Sequence, residues 1–328
     1  MPFRFAALDP LVILLFGLIV DAAVGDMRPL FRFVPHPVAA FGRFVAAAER
    51  RLNRPQRSAA DRRLRGFVLV VFSLLAAAAC GWLVLLFTRP ARWGWLIEIV
   101  VVAVMVAQRS LYDHVLAVAR GLREGGVAGG REAVRHIVGR DPESLDEHGV
   151  ARAAIESLFE NFSDGVVAPI FWAVVGGLPG LLAYKALNTL DSMIGHRDER
   201  YADFGFAAAR FDTAANFVPA RLTGAIVALA ALFGPGTRPG AAFATMLRDA
   251  HKHRSVNAGW PEAAAAGALG LALAGPRRYG GRVVDDAWIG DGRARATAVD
   301  INRALYLYVV ACLIHAALIA ALAVVLPR

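Results

Sequence analysis

Glu156, Glu160 and Asp164 recur at i, i+4 and i+8, so an ordinary helix would stack them in one stripe with Asn161 alongside. Stacked acids repel one another unless a cation or base sits between them. Oxygen donors of this kind suit Mg²⁺, which takes a few carboxylates together with substrate phosphates. The bland alternative is a solvated helix face with an Arg152–Glu156 pair at i, i+4. Here the acids lead through Asp164-Gly165 directly into apolar sequence, and ionisable groups beside hydrocarbon point to function. The next apolar stretch delivers Lys185, Asn188, Asp191 and Ser192 on one broad helical face. Lys185 either neutralises a phosphate or a carboxylate, or snorkels from a helix end. The chemistry expected is a divalent-metal or phosphate-handling site at a membrane surface.

Three smaller groups flank these clusters. Asp26, His36 and Pro37 follow the first apolar run, where His36 reads either as a ligand or as a turn residue and Asp26 as a cap. Arg210, Asp212, Asn216 and Arg221 surround Pro219; the two arginines could fork onto a carboxylate or phosphate, or form an interfacial Arg–Asp pair. His251 opens a run in which Arg254, Asn257, Trp260, Pro261 and Glu262 mark a helix start. A helix N-terminus preceded by glycine favours anions, and Trp260 could stack on a flat ligand. The rival reading is an aromatic belt beside a basic cytoplasmic patch. His251 and His253 are two apart and do not face one another on a helix, which argues against zinc.

These groups must be positioned by membrane helices. The 328 residues are 57% hydrophobic and only 19% charged, against about a quarter charged in soluble domains. Mean hydropathy is +0.49. Apolar runs long enough for a span cover Leu8–Val24, Gly66–Thr88, Trp93–Ala107 and Ala304–Leu326, while Val166–Leu187 and Phe217–Phe233 are interrupted by Gly and Pro. Pro261–Ala274 is short and rich in Ala and Gly, so it is expected to be buried or re-entrant. The loop after the first span carries ten arginines from Arg28 to Arg65, which places it in the cytoplasm. Gln108–Asp164 is the longest polar stretch and reads as a cytoplasmic helical hairpin. Asp141-Pro142, or a Ser144/Glu147 capping box, would start the helix that carries the acids. The Gly176-Gly177-Leu178-Pro179-Gly180 break makes Val166–Leu187 a re-entrant hairpin, which keeps Asn188–Asn216 on the same side as the acids. The expected fold is all-α: one polytopic, membrane-embedded domain over 1–328 with broken or re-entrant helices, and a cytoplasmic helical segment over 109–164. The net charge of +9 comes mostly from arginines between spans, and no basic stripe interleaved with aromatics points to nucleic acid. Cys80 and Cys312 both lie in apolar runs, which excludes a disulfide framework and a Cys-ligated zinc. Neither a P-loop, an HExxH zinc motif nor a GxSxG elbow is present.

Together the segments resemble the CobD/CbiB family of cobalamin biosynthesis, the adenosylcobinamide-phosphate synthases. The resemblance rests on DAAVGD from Asp21, HPV from His36, VGRD from Val138, ESLFENFSDGVVAP from Glu156 and YKALNTLDSMIGHR from Tyr184. AARFD from Ala208, PARLT from Pro219 and HRSVNAGWPEAAAAGALG from His253 complete it, in family order and across nearly the whole chain. One departure is visible, Met27 where the family usually has proline. The resemblance implies ATP-dependent joining of (adenosyl)cobyric acid, through a corrin side-chain carboxylate, to aminopropanol or its phosphate. It implies Mg²⁺ and ATP as cosubstrate, a multi-pass place in the bacterial inner membrane, and assembly as a homo-oligomer or with other corrinoid-assembly enzymes. On that footing Glu156, Glu160, Asp164 and Asp191 are expected at metal and nucleotide, with Asn161 and Lys185 in the catalytic group. Lys185 and Arg197 would contact phosphate. Arg254, Asn257 and Trp260 would contact the corrin or the amino alcohol phosphate, with Asp26, His36, Asn188, Arg210, Asp212, Asn216, Arg221 and Glu262 lining the substrate site.

Two other classes compete. A corrinoid or cobalt transporter would also use broken helices and intramembrane acids, but the sequence shows no inverted repeat. A lipid-linked transferase would need the Ala-Arg that follows Asp-Gly in the CDP-alcohol pattern, or spaced aspartates, and neither is present.

Overall fold

Asp9, His36, Ser58 and Asp146 each end a non-helical stretch by accepting a backbone N–H of the helix that follows, and so fix four of the helix starts. The computed structural model describes residues 8–27, 31–33, 35–137, 142–196, 198–279, 282–284 and 286–326. Its helices are α1 (Pro10–Val24), α2 (Pro37–Leu52), α3 (Ala59–Thr88), α4 (Gly94–Met105), α5 (Gln108–Val134) and α6 (Glu147–Phe162). They continue with α7 (Ala168–Ile194), α8 (Phe206–Ala215), α9 (Phe217–Ala230), α10 (Pro239–Asp249), α11 (Gly259–Leu269) and α12 (Ala298–Val325). Two short antiparallel pairs interrupt the helices: β1 (Leu273–Ala274) with β4 (Trp288–Ile289), and β2 (Arg277–Tyr279) with β3 (Arg282–Val284). The sequence pattern does not foretell these strands.

Among the described residues, Ala59–Thr88, Gly94–Val134, Glu147–Ile194 and Ala298–Val325 are long and apolar enough to cross a membrane. Phe206–Ala215 with Phe217–Ala230 makes a fifth if the bent pair is one span. The fold is therefore that of an all-α, polytopic membrane protein. Two of the expected spans come out shorter than their apolar runs: α1 has 15 residues and α4 only 12, against about 20 for a straight crossing. On α3, Phe67, Phe72, Leu75, Trp82, Leu86 and Phe87 are exposed, as lipid-facing positions must be. Pro261–Leu269 is buried throughout, which fits the expectation of a buried rather than a spanning segment.

The chain divides into two compact units: Met1–Ala107, Ala168–Asn216 and Ile319–Arg328 make up the first, Gln108–Val167 and Phe217–Leu318 the second. In the first unit α7 breaks at Gly177, whose φ of 62° is the left-handed region that glycine enters without a side-chain clash. The chain doubles back there, so the backbone at Gly180 packs against the Trp172 carbonyl; in a straight helix these residues would lie about 12 Å apart. The half of α7 after the break packs on α3 and α2, and α8 returns along it. Val45, Leu69, Val70, Leu187, Leu190, Ile194 and Phe204 form the core between them. Polar contacts fix which loops share a membrane face. Arg62 and Arg63 hold Asp203 at 2.8 and 2.9 Å, and Arg200 grips Glu49 through two bonds of 2.9 and 3.0 Å. The loop after α7 thus lies on the same face as the arginine-rich loop before α3.

In the second unit α5 reverses by the same device at Gly126, φ 59°, which brings the backbones of Gly121 and Gly129 together. The expected helical hairpin is present, and α6 packs on it. Its start differs from expectation: Asp146, not Ser144, caps α6 by accepting Gly149 N–H at 2.7 Å, while Pro142–Ser144 forms a 3₁₀ turn. Asp141 lies outside the described residues.

Candidate active site

Within the first unit the second half of α7 presents Lys185, Asn188 and Asp191 three residues apart, which places them along one face. The N-terminus of α2 meets this helix. There His36 accepts the Val38 N–H at its Nδ1, 3.2 Å away, and Pro37 occupies the first helical position, so the turn-residue reading of His36 is the structural one. In the neutral ring the proton then sits on Nε2, an assignment that follows from the hydrogen bond. Burial first, and the Lys185 charge second, hold the imidazole below its ordinary pKa, with Asp26 opposing them. His36 therefore senses the charges of both Lys185 and Asp26.

On the other side α8 runs back along α7 and builds a chain of buried polar groups. Tyr184 O–H donates to Asn216 Oδ1 at 2.8 Å, and Asn216 Nδ2 donates to Asp212 Oδ2 at 3.0 Å. Asp191 and Asn188 stand beside Asp212. Tyr184 is not a residue that sequence singles out, because a tyrosine on an apolar helix reads as core. Its place next to Lys185, in a segment already crowded with polar groups, is the available signal. Arg210 does not join this chain; it lies over the Phe206 ring at 5.4 Å, and among the described residues no ion pair links it to Asp212. The interfacial Arg–Asp pair is thus not formed there among the described residues. Ser192 bonds back to the Asn188 carbonyl as an ordinary helical serine. Arg197 lies outside the described residues.

The second unit holds the acid stripe, and its three acids stand in three different environments. Ser163–Val167 is a π-turn, so the regular helix that carries Glu156 and Glu160 ends at Phe162 and Asp164 lies in the wider turn that follows. Glu156 is 4% exposed, and its Oε1 accepts the Ala274 N–H at 2.8 Å. That carboxylate is a structural acceptor for a residue at φ 58°, a strained backbone for alanine. Glu160 and Asn161 are exposed and Asp164 is half-buried. Asn161 Nδ2 donates to the carbonyl and hydroxyl of Ser157. Among the described residues no three His, Cys, Asp or Glu side chains gather so as to hold a metal ion. Within the described residues of the second unit, Glu156, Glu160 and Asp164 therefore do not by themselves make an all-protein metal cage.

The segment around α11 is also occupied. The Trp260 N–H bonds to the Asn257 carbonyl, Glu262 N–H bonds to the Ala258 carbonyl, and Pro261 has no N–H, so the helix start offers an anion little. One face of Trp260 is taken by the Arg221 guanidinium at 4.6 Å, which also lies 3.4 Å from the Phe217 ring centre. Arg254 pairs with Asp286 at 2.5 Å. Asn257 and Glu262 are buried, and His253 Nε2 approaches Glu262 Oε1 at 3.7 Å while its Nδ1 accepts the Ser255 N–H. Nearby, fully buried Asp249 takes two bonds from Arg248, one from Lys252 and one from the Gly290 N–H. The Arg248 bonds hold its carboxyl well below the usual range. This is an anchor for the loop after β4, and sequence offers no sign of it.

The pattern that defines the CobD/Cbib protein family matches residues 14–308. A "Cobalamin biosynthesis protein CobD" from Brucella anthropi is 52% identical over 302 residues, 91% of this chain and 92% of its own length. Proteins of the same name from a Sinorhizobium species and from Sinorhizobium fredii are 51% and 50% identical, over 96% and 98% of this chain and 98% of each relative. No solved structure matches.

Proposed function

The chain belongs to the CobD/CbiB family, a family of cobalamin biosynthesis, and from that premise we propose that it is an ATP-dependent acid–amine ligase. Its substrates would be (adenosyl)cobyric acid and aminopropanol or aminopropanol phosphate, and its product the amide, (adenosyl)cobinamide or its phosphate. The observation that carries the reading is the family match across almost the whole chain, combined with ionisable groups on α7 and α8 where composition calls for lipid-soluble residues.

A carboxylate is a poor acyl donor. In the proposed route a corrin side-chain carboxylate oxygen takes the γ-phosphoryl group and ADP leaves. The amine lone pair then attacks the carbonyl carbon, and the C–O bond to phosphate breaks. Magnesium would arrive on the nucleotide phosphates and draw on one or two protein carboxylates; exposed Glu160 and half-buried Asp164 are the candidates, not Glu156. Lys185 and Arg197 are proposed to offset phosphate charge. Asn257 and Trp260 are proposed corrin or amino-alcohol contacts, and Arg254 could serve only by releasing Asp286. Placement in the bacterial inner membrane, with the arginine-rich face in the cytoplasm where ATP is found, fits this reading.

The test is the purified chain in nanodiscs with ATP, Mg²⁺, a corrinoid acid and each amine in turn, read by mass. Appearance of the corrinoid amide is expected. An unchanged corrinoid acid would overturn the reading, and corrinoid uptake into proteoliposomes without chemical change would put a transporter in its place.

A further inference from the structure

Asp212 is 9% exposed, and its Oδ1 has no partner at full hydrogen-bond geometry among the described residues, with the Asn188 amide a weak donor to the carboxylate. Its other oxygen is held by Asn216, whose amide is in turn oriented by Tyr184. Asp191, on the facing helix, adds a second negative charge, with His196 beyond it and Asn188 alongside. Among the described residues no lysine or arginine pairs with either acid. Two carboxylates that feel one another's charge, one of them buried with an open oxygen, are satisfied by a shared proton or by a bound cation between them. A metal ion is the poorer match, since no third acid, histidine or cysteine joins the pair among the described residues. A primary ammonium fits better: it brings N–H donors that Asp212 Oδ1 and the Asp191 carboxylate can accept.

We propose that Asp191 and Asp212 form the subsite for the primary ammonium group of the amine substrate, with Tyr184 as a positioning residue acting through Asn216. This rests on the amide-forming reading above and assigns Asp191 to the amine instead of to metal. Tyr184 fixes the Asn216 amide so that its N–H₂ faces Asp212; without the phenol the amide is free to turn its oxygen toward the carboxylate. The subsite recognises positive charge, so 1,2-propanediol, which keeps the hydroxyl and lacks the ammonium, has no claim on it; before attack the bound ammonium gives one proton to the Asp212 carboxylate, which frees the nitrogen lone pair.

The full-length chain in nanodiscs, with Asp212→Asn, Asp191→Asn and Tyr184→Phe variants, provides the test. In the amide assay Asp212→Asn is expected to raise the KM for aminopropanol about thirtyfold or more, the loss typical when one partner of a buried charge pair is removed. The KM values for ATP and the corrinoid acid should stay within about twofold. Tyr184→Phe should raise the amine KM by a smaller factor with the same selectivity, which a general packing defect would not do. Asp191→Asn provides the same reading if Asp212→Asn fails to fold. An unchanged amine KM, or equal rises in all three KM values, would overturn the proposal. Calorimetric titration of aminopropanol into the chain without ATP separates the two readings. If no amide forms but aminopropanol binds and Asp212→Asn abolishes the binding, the subsite stands and the ligase reading falls. If wild type makes amide but the variants leave amine binding intact, the subsite falls and the ligase reading stands.

Discussion

Glu156→Ala should destabilise the protein and leave the magnesium dependence of the proposed ligase reaction alone. Glu156 Oε1 is buried and accepts the Ala274 N–H at 2.8 Å, where Ala274 holds a left-handed backbone in the β1–β4 pair. Removing a charged acceptor and orphaning a buried N–H costs about 2–3 kcal/mol. Glu156→Gln retains an oxygen acceptor without the charge, so its loss should be nearer 1 kcal/mol. At roughly 2 °C per kcal/mol for a chain of this size, the melting temperature should fall by about 5 °C for the alanine and about 2 °C for the glutamine variant. Adding Ala274→Gly to Glu156→Ala should return about 1 kcal/mol, because glycine adopts φ near 60° without the clash. Thermal unfolding of the nanodisc-embedded chain reads the stability, and a Mg²⁺ titration of the amide assay reads the metal. A true ligand would lose on the order of tenfold or more in metal affinity. An unshifted melting temperature together with a large Mg²⁺ shift in Glu156→Gln would refute the structural role.

Three further outcomes follow from the geometry. Gly177→Ala should cost about 1–2 kcal/mol by forcing a side chain into the left-handed region at the α7 reversal, measured as a lower melting temperature than Gly176→Ala gives. His36 has a folded pKa below its unfolded one, so its share of stability is fully present above about pH 6.5 and is lost as pH falls through the lower folded value; His36→Asn, which keeps a capping acceptor, should flatten the pH dependence of unfolding below about pH 6.5. Cysteines placed at exposed Arg54 and Glu199, with Cys80 and Cys312 replaced by alanine, should react with an impermeant maleimide from the same side of the membrane, and labelling from opposite sides would contradict the Glu49–Arg200 and Arg62–Asp203 pairings.

Much of the architecture can be read from composition, because apolar runs of span length and glycine pairs at breaks are local signals. The reversal at Gly177 follows from the Gly-Gly-Leu-Pro-Gly break, and the buried character of Pro261–Leu269 from its shortness. Helix starts are harder. Asp146 and Ser144 both precede α6 and both can cap, and only packing chooses between them. The end of the regular helix is hidden for a similar reason: a π-turn at Ser163–Val167 leaves no mark in residue type. The role of Glu156 escapes a reading by spacing because its partner is a backbone N–H 118 residues away, in a strand too short to leave an alternating pattern. The Tyr184–Asn216–Asp212 chain joins residues from two helices, so spacing alone shows Asp212 and Asn216 as neighbours but not what orients them.

The central claim, that a corrin carboxylate is activated by phosphoryl transfer before amine attack, has one direct measurement. Corrinoid acid labelled with ¹⁸O in its carboxylate is turned over by the purified chain with ATP and aminopropanol, and the released phosphate is analysed by mass. An acyl phosphate intermediate requires one labelled oxygen in inorganic phosphate for each amide formed. Label found in AMP, or amide formed with no label in phosphate, would contradict it.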